Sequence, residues 1–294
     1  MRAHVPTLAL VAVTAVWGYT FVPVQDAVAS FPLFTFLALR FAVSTAALAP
    51  FAAAPLVRLP RRAILAGLGV GVLLAAAYAL QTAGLDLTTV SSTGFITGLY
   101  VVFAPLIALV AFGTRVPLAG WAGVVLALVG LLLLSGVPGG SVAGNALVLG
   151  NAAAQGVQIA AMERLAPRYD PRALTFLQMA VSFVAFLVIA GAAGQLELPR
   201  TAQVWYAVVV TGVFAGALGY LVATWVQART TATRAAVIFT LEAPFAALFG
   251  IALLSEHLGW LGWTGCAVML AGILIAEPAA AEALRRGVFR SRAR

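Results

Sequence analysis

One carboxylate, Glu242, stands near the middle of an apolar run from Thr231 to Leu254 that is long enough to span a membrane. A charge at the centre of such a helix costs roughly 2.5–3.5 kcal/mol on insertion, so it must face protein or water rather than lipid. Pro244, close behind it, removes a backbone donor and frees a carbonyl one turn earlier. Glu242 is therefore either a structural acid paired with a neighbouring helix or a group that meets a ligand. Arg40 lies inside the second apolar run. Its long side chain can snorkel to the interface or pair within the protein; the sharper alternative is a cation facing an anionic ligand group or Glu242.

Uncharged polar residues recur at helical spacing in several runs. Asn151, Gln155 and Gln158 share a face, as do Thr93, Thr97 and Tyr100. Gly216, Tyr220 and Thr224 form a third stripe, Tyr78 and Gln81 a fourth, and Thr14, Trp17 and Phe21 a fifth. Any one stripe is explained by interhelical hydrogen bonds, worth about 0.6 kcal/mol on average. That stripes arise along the whole chain favours a shared aqueous path. The candidate cavity residues are Trp17, Tyr78, Gln81, Thr97, Tyr100, Gln155, Gln158, Tyr220 and Glu242, with Arg40 as a charge partner. Glycine pairs such as Gly67 and Gly71, Gly94 and Gly98, and Gly212 and Gly216 are explained by close helix packing alone.

Catalytic signatures are missing from the sequence. There is no His-Glu-x-x-His, Gly-x-Ser-x-Gly or phosphate-loop motif, so no catalytic residue is assigned and any uphill movement must draw on a gradient. Cys266 is alone in an apolar run, and His4 and His257 are far apart, which leaves no metal site; no cofactor is expected.

These residues must be positioned by membrane helices. Of 294 residues, 63% are hydrophobic and 9% charged, with a mean hydropathy of +1.06, against about a quarter charged in soluble domains. Ten apolar runs are predicted to span, near 6–25, 33–53, 63–84, 90–112, 117–135, 142–162, 173–193, 203–225, 233–254 and 258–276. The first follows Arg2 and ends near Ala27-Val28-Ala29, like a secretory signal, but it is too long for a signal core and reads as a retained helix. All 17 basic residues are arginine. Placing the N-terminus in the cytoplasm collects Arg2, Arg58, Arg61, Arg62, Arg115, Arg164, Arg168, Arg172, Arg229, Arg234 and the tail's Arg285, Arg286, Arg290, Arg292 and Arg294 on that side. Arg40 and Arg200 fall towards the other, with Asp26, Asp86, Glu197 and Glu256. The pI of 10.8 therefore reflects topology, and no nucleic-acid partner is expected.

The chain repeats itself. Gly120-Trp121-Ala122-Gly123, followed by Gly130, recurs as Gly262-Trp263-Thr264-Gly265, followed by Gly272. Trp17-Gly18 aligns with Gln155-Gly156, and Pro105 is matched to Pro244, with three extra residues between proline and tryptophan in the second copy. Five spans per copy is an odd number, so the copies must be inverted, an arrangement typical of transporters with a midplane site between the halves. The expected boundaries are 1–137 and 138–277 for the two repeats and 278–294 for a basic tail.

Trp17-Gly18-x-x-Phe21, Arg40-Phe41, Thr97-Gly98-Leu99-Tyr100 leading to Pro105, Leu241-Glu242-Ala243-Pro244, and Glu256 before Gly262 and Gly272 together resemble the drug/metabolite transporter superfamily, specifically its EamA-type ten-helix exporters. The resemblance runs from about Leu8 to Ala276. It implies two inverted five-helix repeats, a central cavity and export of small metabolites, often amino acids or related compounds. One departure is Gly113-Thr114-Arg115, where the first repeat of the family often carries a Gly-Glu pair; that acid is left only in the second copy, at Glu256. The expectation is an all-α integral membrane protein with ten transmembrane helices, exporting by alternating access across a bacterial inner membrane with both termini cytoplasmic. Coupling to protons through Glu242 and assembly as a homodimer are further expectations, with a small-molecule substrate and the lipid bilayer as partners. A flippase for lipid-linked substrates is the alternative within the superfamily, and an intramembrane enzyme the alternative of another class.

Overall fold

The computed structural model describes residues 5–85, 87–88, 90–135, 140–254 and 257–276, apart from a few side chains that include those of Phe21 and Gln25. Arg2, His4, Asp86, Glu256 and the whole basic tail lie outside the described residues. What is described is helical, with no strand among the described residues. The first three spans are α1 (Val5–Val28), α2 (Leu33–Val57) and α3 (Arg61–Leu85). The fourth is broken into α4 (Val90–Gly98) and α5 (Tyr100–Phe112), and α6 (Leu118–Ser135) is the fifth. The second set begins with α7 (Val142–Leu165) and α8 (Pro171–Ala192). Its third member is α9 (Ala202–Val210), a π-helical stretch from Thr211 to Gly219, and α10 (Tyr220–Gln227). The ninth span is again broken, into α11 (Ala232–Phe239) and α12 (Glu242–Leu254), and α13 (Trp260–Ala276) is the tenth. Eight of the ten spans are long and apolar enough to cross a membrane. The others are α7, which carries Asn145, Asn151, Gln155 and Gln158, and the 17-residue α13.

Local chemistry sets the helix ends. Ser141, Asp170, Thr201 and Thr231 each accept a backbone N–H of the first turn of α7, α8, α9 and α11, the usual service of a short polar side chain at an N-cap. Pro171 follows Asp170 at the first helical position, where its missing donor is not needed. Gly113 closes α5 at φ 66°, a conformation that disfavours other residues.

The two sets of five are related by an inverted pseudo-symmetry that glycines make visible. The repeated Gly-Trp-x-Gly motifs pack on each other. A Cβ at Gly123 would lie 2.9 Å from the Gly272 carbonyl oxygen, and one at Gly130 would lie 2.7 Å from that of Gly265. Across the bundle, Gly18 of α1 faces Phe245 of α12 just as Gly156 of α7 faces Phe103 of α5. Gly71 of α3 meets Val181 of α8, and Gly212 meets Val43 of α2 in the same way.

This packing corrects the register expected from the prolines. Phe103 is equivalent to Phe245, so Tyr100, the first residue of α5, is equivalent to Glu242, the first residue of α12. The same offset carries Trp121 onto Trp263, and the three extra residues disappear. Pro105 and Pro244 are not equivalent. Pro105 sits inside α5, whereas Pro244 falls in the first turn of α12, where backbone donors have no intrahelical acceptor to lose.

Candidate transport site

The helix breaks in the fourth and ninth spans place Tyr100 and Glu242 at the first residues of α5 and α12, and the π-helical stretch packs against α1 and α2. A π turn is wider than an α turn and leaves carbonyls free to accept from neighbours. Trp17 Nε1 donates to the Ala215 carbonyl at 3.1 Å, and Ser44 Oγ donates to that of Gly212 at 2.8 Å. Glycines at Gly216 and Gly219 admit these contacts, since a side chain at Gly216 would collide with Ser44. Helices α1 and α2 are thereby docked on the eighth span by hydrogen bonds as well as by packing.

Around this junction the aromatic rings form a wall. Trp17 lies 5.3 Å from Tyr220 and 5.4 Å from Phe239, ring centre to ring centre, and Phe41 lies 5.4 Å from Tyr78. The hydroxyls of Tyr78 and Tyr220 approach to 3.4 Å. Arg40 enters this wall from α2. Its guanidinium carbon is 5.5 Å from the Tyr78 ring and 5.8 Å from that of Phe41, within cation–π range. Arg40 is only 7% exposed, so it does not snorkel to the interface; the charge stays inside.

Glu242, at the start of α12, is half-buried. The field of Arg40 reaches both Glu242 and Tyr220, and that of Glu242 reaches Tyr100. No ion pair within 4.0 Å joins Arg40 to Glu242, and neither side chain makes a hydrogen bond among the described residues.

A second, uncharged cluster adjoins the first through α3 and the fourth span. Gln81 and Asn151 both donate to Thr97 Oγ1, at 3.1 and 3.0 Å, and Gln155 donates to Asn151 Oδ1 at 2.9 Å. Thr97 and Tyr100 flank the break at Leu99, and Gln81 lies one turn from Tyr78, so the two clusters are neighbours along the fourth and third spans. Gln158 stands apart: it is buried and donates to Gln178 Oε1 of α8 at 2.8 Å. Thr224 is likewise committed to Thr175 at 3.1 Å, an interhelical bond. Trp17, Tyr78, Tyr220 and Arg40 thus touch one another, Gln81, Thr97 and Gln155 belong to the uncharged cluster, and Gln158 bonds to Gln178.

Sequence reasoning missed Gln178 and Phe239. Gln178 bears the same relation to Arg40 as Gly156 does to Gly18, so the repeat itself carried the signal.

A family model matches the chain twice, over residues 5–136 and 142–276. The chain belongs to the EamA-like transporter family. Within reach of this assignment is an uncharacterised transporter of Archaeoglobus fulgidus, 33% identical over 272 residues that cover 91% of this chain and 84% of that one. A solved crystal structure superposes with a TM-score of 0.80 over 94% of this chain and 98% of its own, at 18% identity, a likeness of fold. As an EamA-like transporter, the chain is a multi-pass membrane protein whose broken spans and opposed charges occur where its two matching halves meet.

Proposed function

We propose that this EamA-like transporter is a secondary exporter of small metabolites carrying both an anionic and a cationic group, namely amino acids and related compounds. It works by alternating access across the plasma membrane, with the arginine-rich end and both termini in the cytoplasm. The observation that supports this reading is that Arg40 is buried and its charge reaches Glu242, yet no ion pair joins the two. An unpaired buried ion costs roughly several kcal/mol, and a ligand that brings the complementary charges offsets that cost. A substrate carboxylate would meet Arg40 and its ammonium would meet Glu242, while Trp17, Tyr78 and Tyr220 present apolar surface to the remainder. Tyr100, Gln81, Thr97 and Gln155 would hydrogen-bond the solute along its path. Glu242 would bind a proton when the substrate leaves, coupling export to the proton gradient. No catalytic role is assigned to any residue.

The test is efflux from proteoliposomes loaded with labelled amino acids, amphipathic cations and organic anions, with and without an imposed pH gradient. Saturable efflux of zwitterions that responds to the gradient is expected for the wild type. Glu242→Gln should abolish the response. Efflux indifferent to both gradient and substitution would end the coupling assignment. Efflux confined to solutes of one charge would end the zwitterion assignment, and no efflux of any soluble compound would turn the reading towards a flippase for lipid-linked substrates.

A further inference from the structure

A cleft at the arginine-rich end, away from the central site, lies between the α2–α3 and α7–α8 connections and encloses about 560 Å³. Its floor is apolar, formed by Pro50, Phe51, Ala54 and Leu59, and Phe51 is 62% exposed on the outer side of α2. Arg58, Arg168 and Arg172 stand at its rim with one acid, Asp170. Asp170 is already committed. It caps α8 and holds Arg172 through two bonds of 3.0 and 2.7 Å, and that grip keeps its carboxyl below the ordinary aspartate range. Arg58 and Arg168 are exposed, and their side chains make no hydrogen bond or ion pair among the described residues. Two uncompensated cations thus line the same groove as the apolar Pro50, Phe51 and Ala54 of α2.

We infer that this cleft is a binding site for an anionic phospholipid, with the phosphate diester between Arg58 and Arg168 and the proximal acyl chain along Phe51 and Ala54. A soluble organic phosphate would use the rim and leave the apolar floor empty. A zwitterionic lipid would bring its own ammonium among the arginines. An anionic lipid satisfies both parts, and basic pockets between helices near a membrane surface recognise such headgroups.

The experiment is native mass spectrometry of the full chain titrated with phosphatidylglycerol or phosphatidylcholine. The wild type is compared with Arg58→Gln/Arg168→Gln and with Arg115→Gln/Arg229→Gln, which removes the same charge from the same end outside the cleft. The first pair should weaken phosphatidylglycerol binding about thirtyfold, from two lost contacts near the headgroup, and leave phosphatidylcholine unchanged. The second pair should leave both unchanged, and millimolar glycerol phosphate should not displace the lipid. Equal losses in both pairs would reduce the cleft to a diffuse positive surface. Displacement by glycerol phosphate would make it a site for soluble phosphates. Should the first pair fail to fold, a photoreactive phosphatidylglycerol on the wild type decides: labelling of the segments 50–60 and 168–172 supports the site, and labelling elsewhere overturns it.

Discussion

At the level of single residues, Arg40 is a costly placement. Aromatic rings at 5.5 and 5.8 Å give a guanidinium less than a carboxylate would, and its Nε has no acceptor. Replacing an imperfectly compensated buried ion with an uncharged group of similar size is often neutral or stabilising by about 1–4 kcal/mol. Arg40→Gln is therefore expected to keep or raise the thermal unfolding midpoint while weakening substrate affinity by about thirtyfold or more, the usual effect of removing one member of a buried charged contact. Thermal melts read beside substrate-protection assays would separate the two effects. A variant that melts lower with affinity intact would make Arg40 a packing residue. Asp170 makes the opposite case at the surface. Arg172 lowers its folded value below the ordinary 3.8, so its contribution is complete at neutral pH and fades as the pH falls below that value through the lowered one. Asp170→Ala should cost about 1 kcal/mol through the lost cap at neutral pH and nothing extra in strong acid, as paired melts across that range would record.

At the level of elements, the close approach of α1 to α12 and of α7 to α5 depends on glycine. A Cβ at Gly18 would lie 2.6 Å from Phe245 Cβ and 2.7 Å from the Ala246 nitrogen; one at Gly156 would lie 2.5 Å from Phe103 Cβ. Backbone cannot step aside as a flexible side chain can, so Gly18→Ala and Gly156→Ala should each destabilise by about 1–3 kcal/mol. The two costs should be similar because the environments are symmetry mates, and melting of the purified variants checks both. The same elements explain what could be read in advance. Ten runs, the inverted repeat and the Trp17/Gln155 match follow from hydropathy and glycine spacing, which survive in any apolar helix. The breaks at Leu99 and at Thr240-Leu241 were not read from hydropathy, because each span as a whole stays apolar enough to count as one continuous run. Without them Pro105 and Pro244 looked alike, although one is interior to its helix and the other lies in a first turn. The direction of Arg40 was equally hidden: a long side chain reaches interface or core from the same Cα, and the choice was made by Tyr78 and Phe41 on neighbouring positions.

For the whole molecule, the backbone repeats and the chemistry does not. Tyr100 occupies in the first five spans the place that Glu242 holds in the last five, and Gln178 answers to Arg40. Rocking such a scaffold exchanges the conformations of its halves, and with identical halves the two end states would have equal energy and neither face would be preferred. Because Arg40 and Glu242 stand where the symmetry mates are Gln178 and Tyr100, opening to one face would, under the proposed cycle, hydrate the charges by a different route from opening to the other. Under the proposed cycle the empty carrier would then rest open to one side more than to the other, while the direction of net flux would still follow the solute and ion gradients.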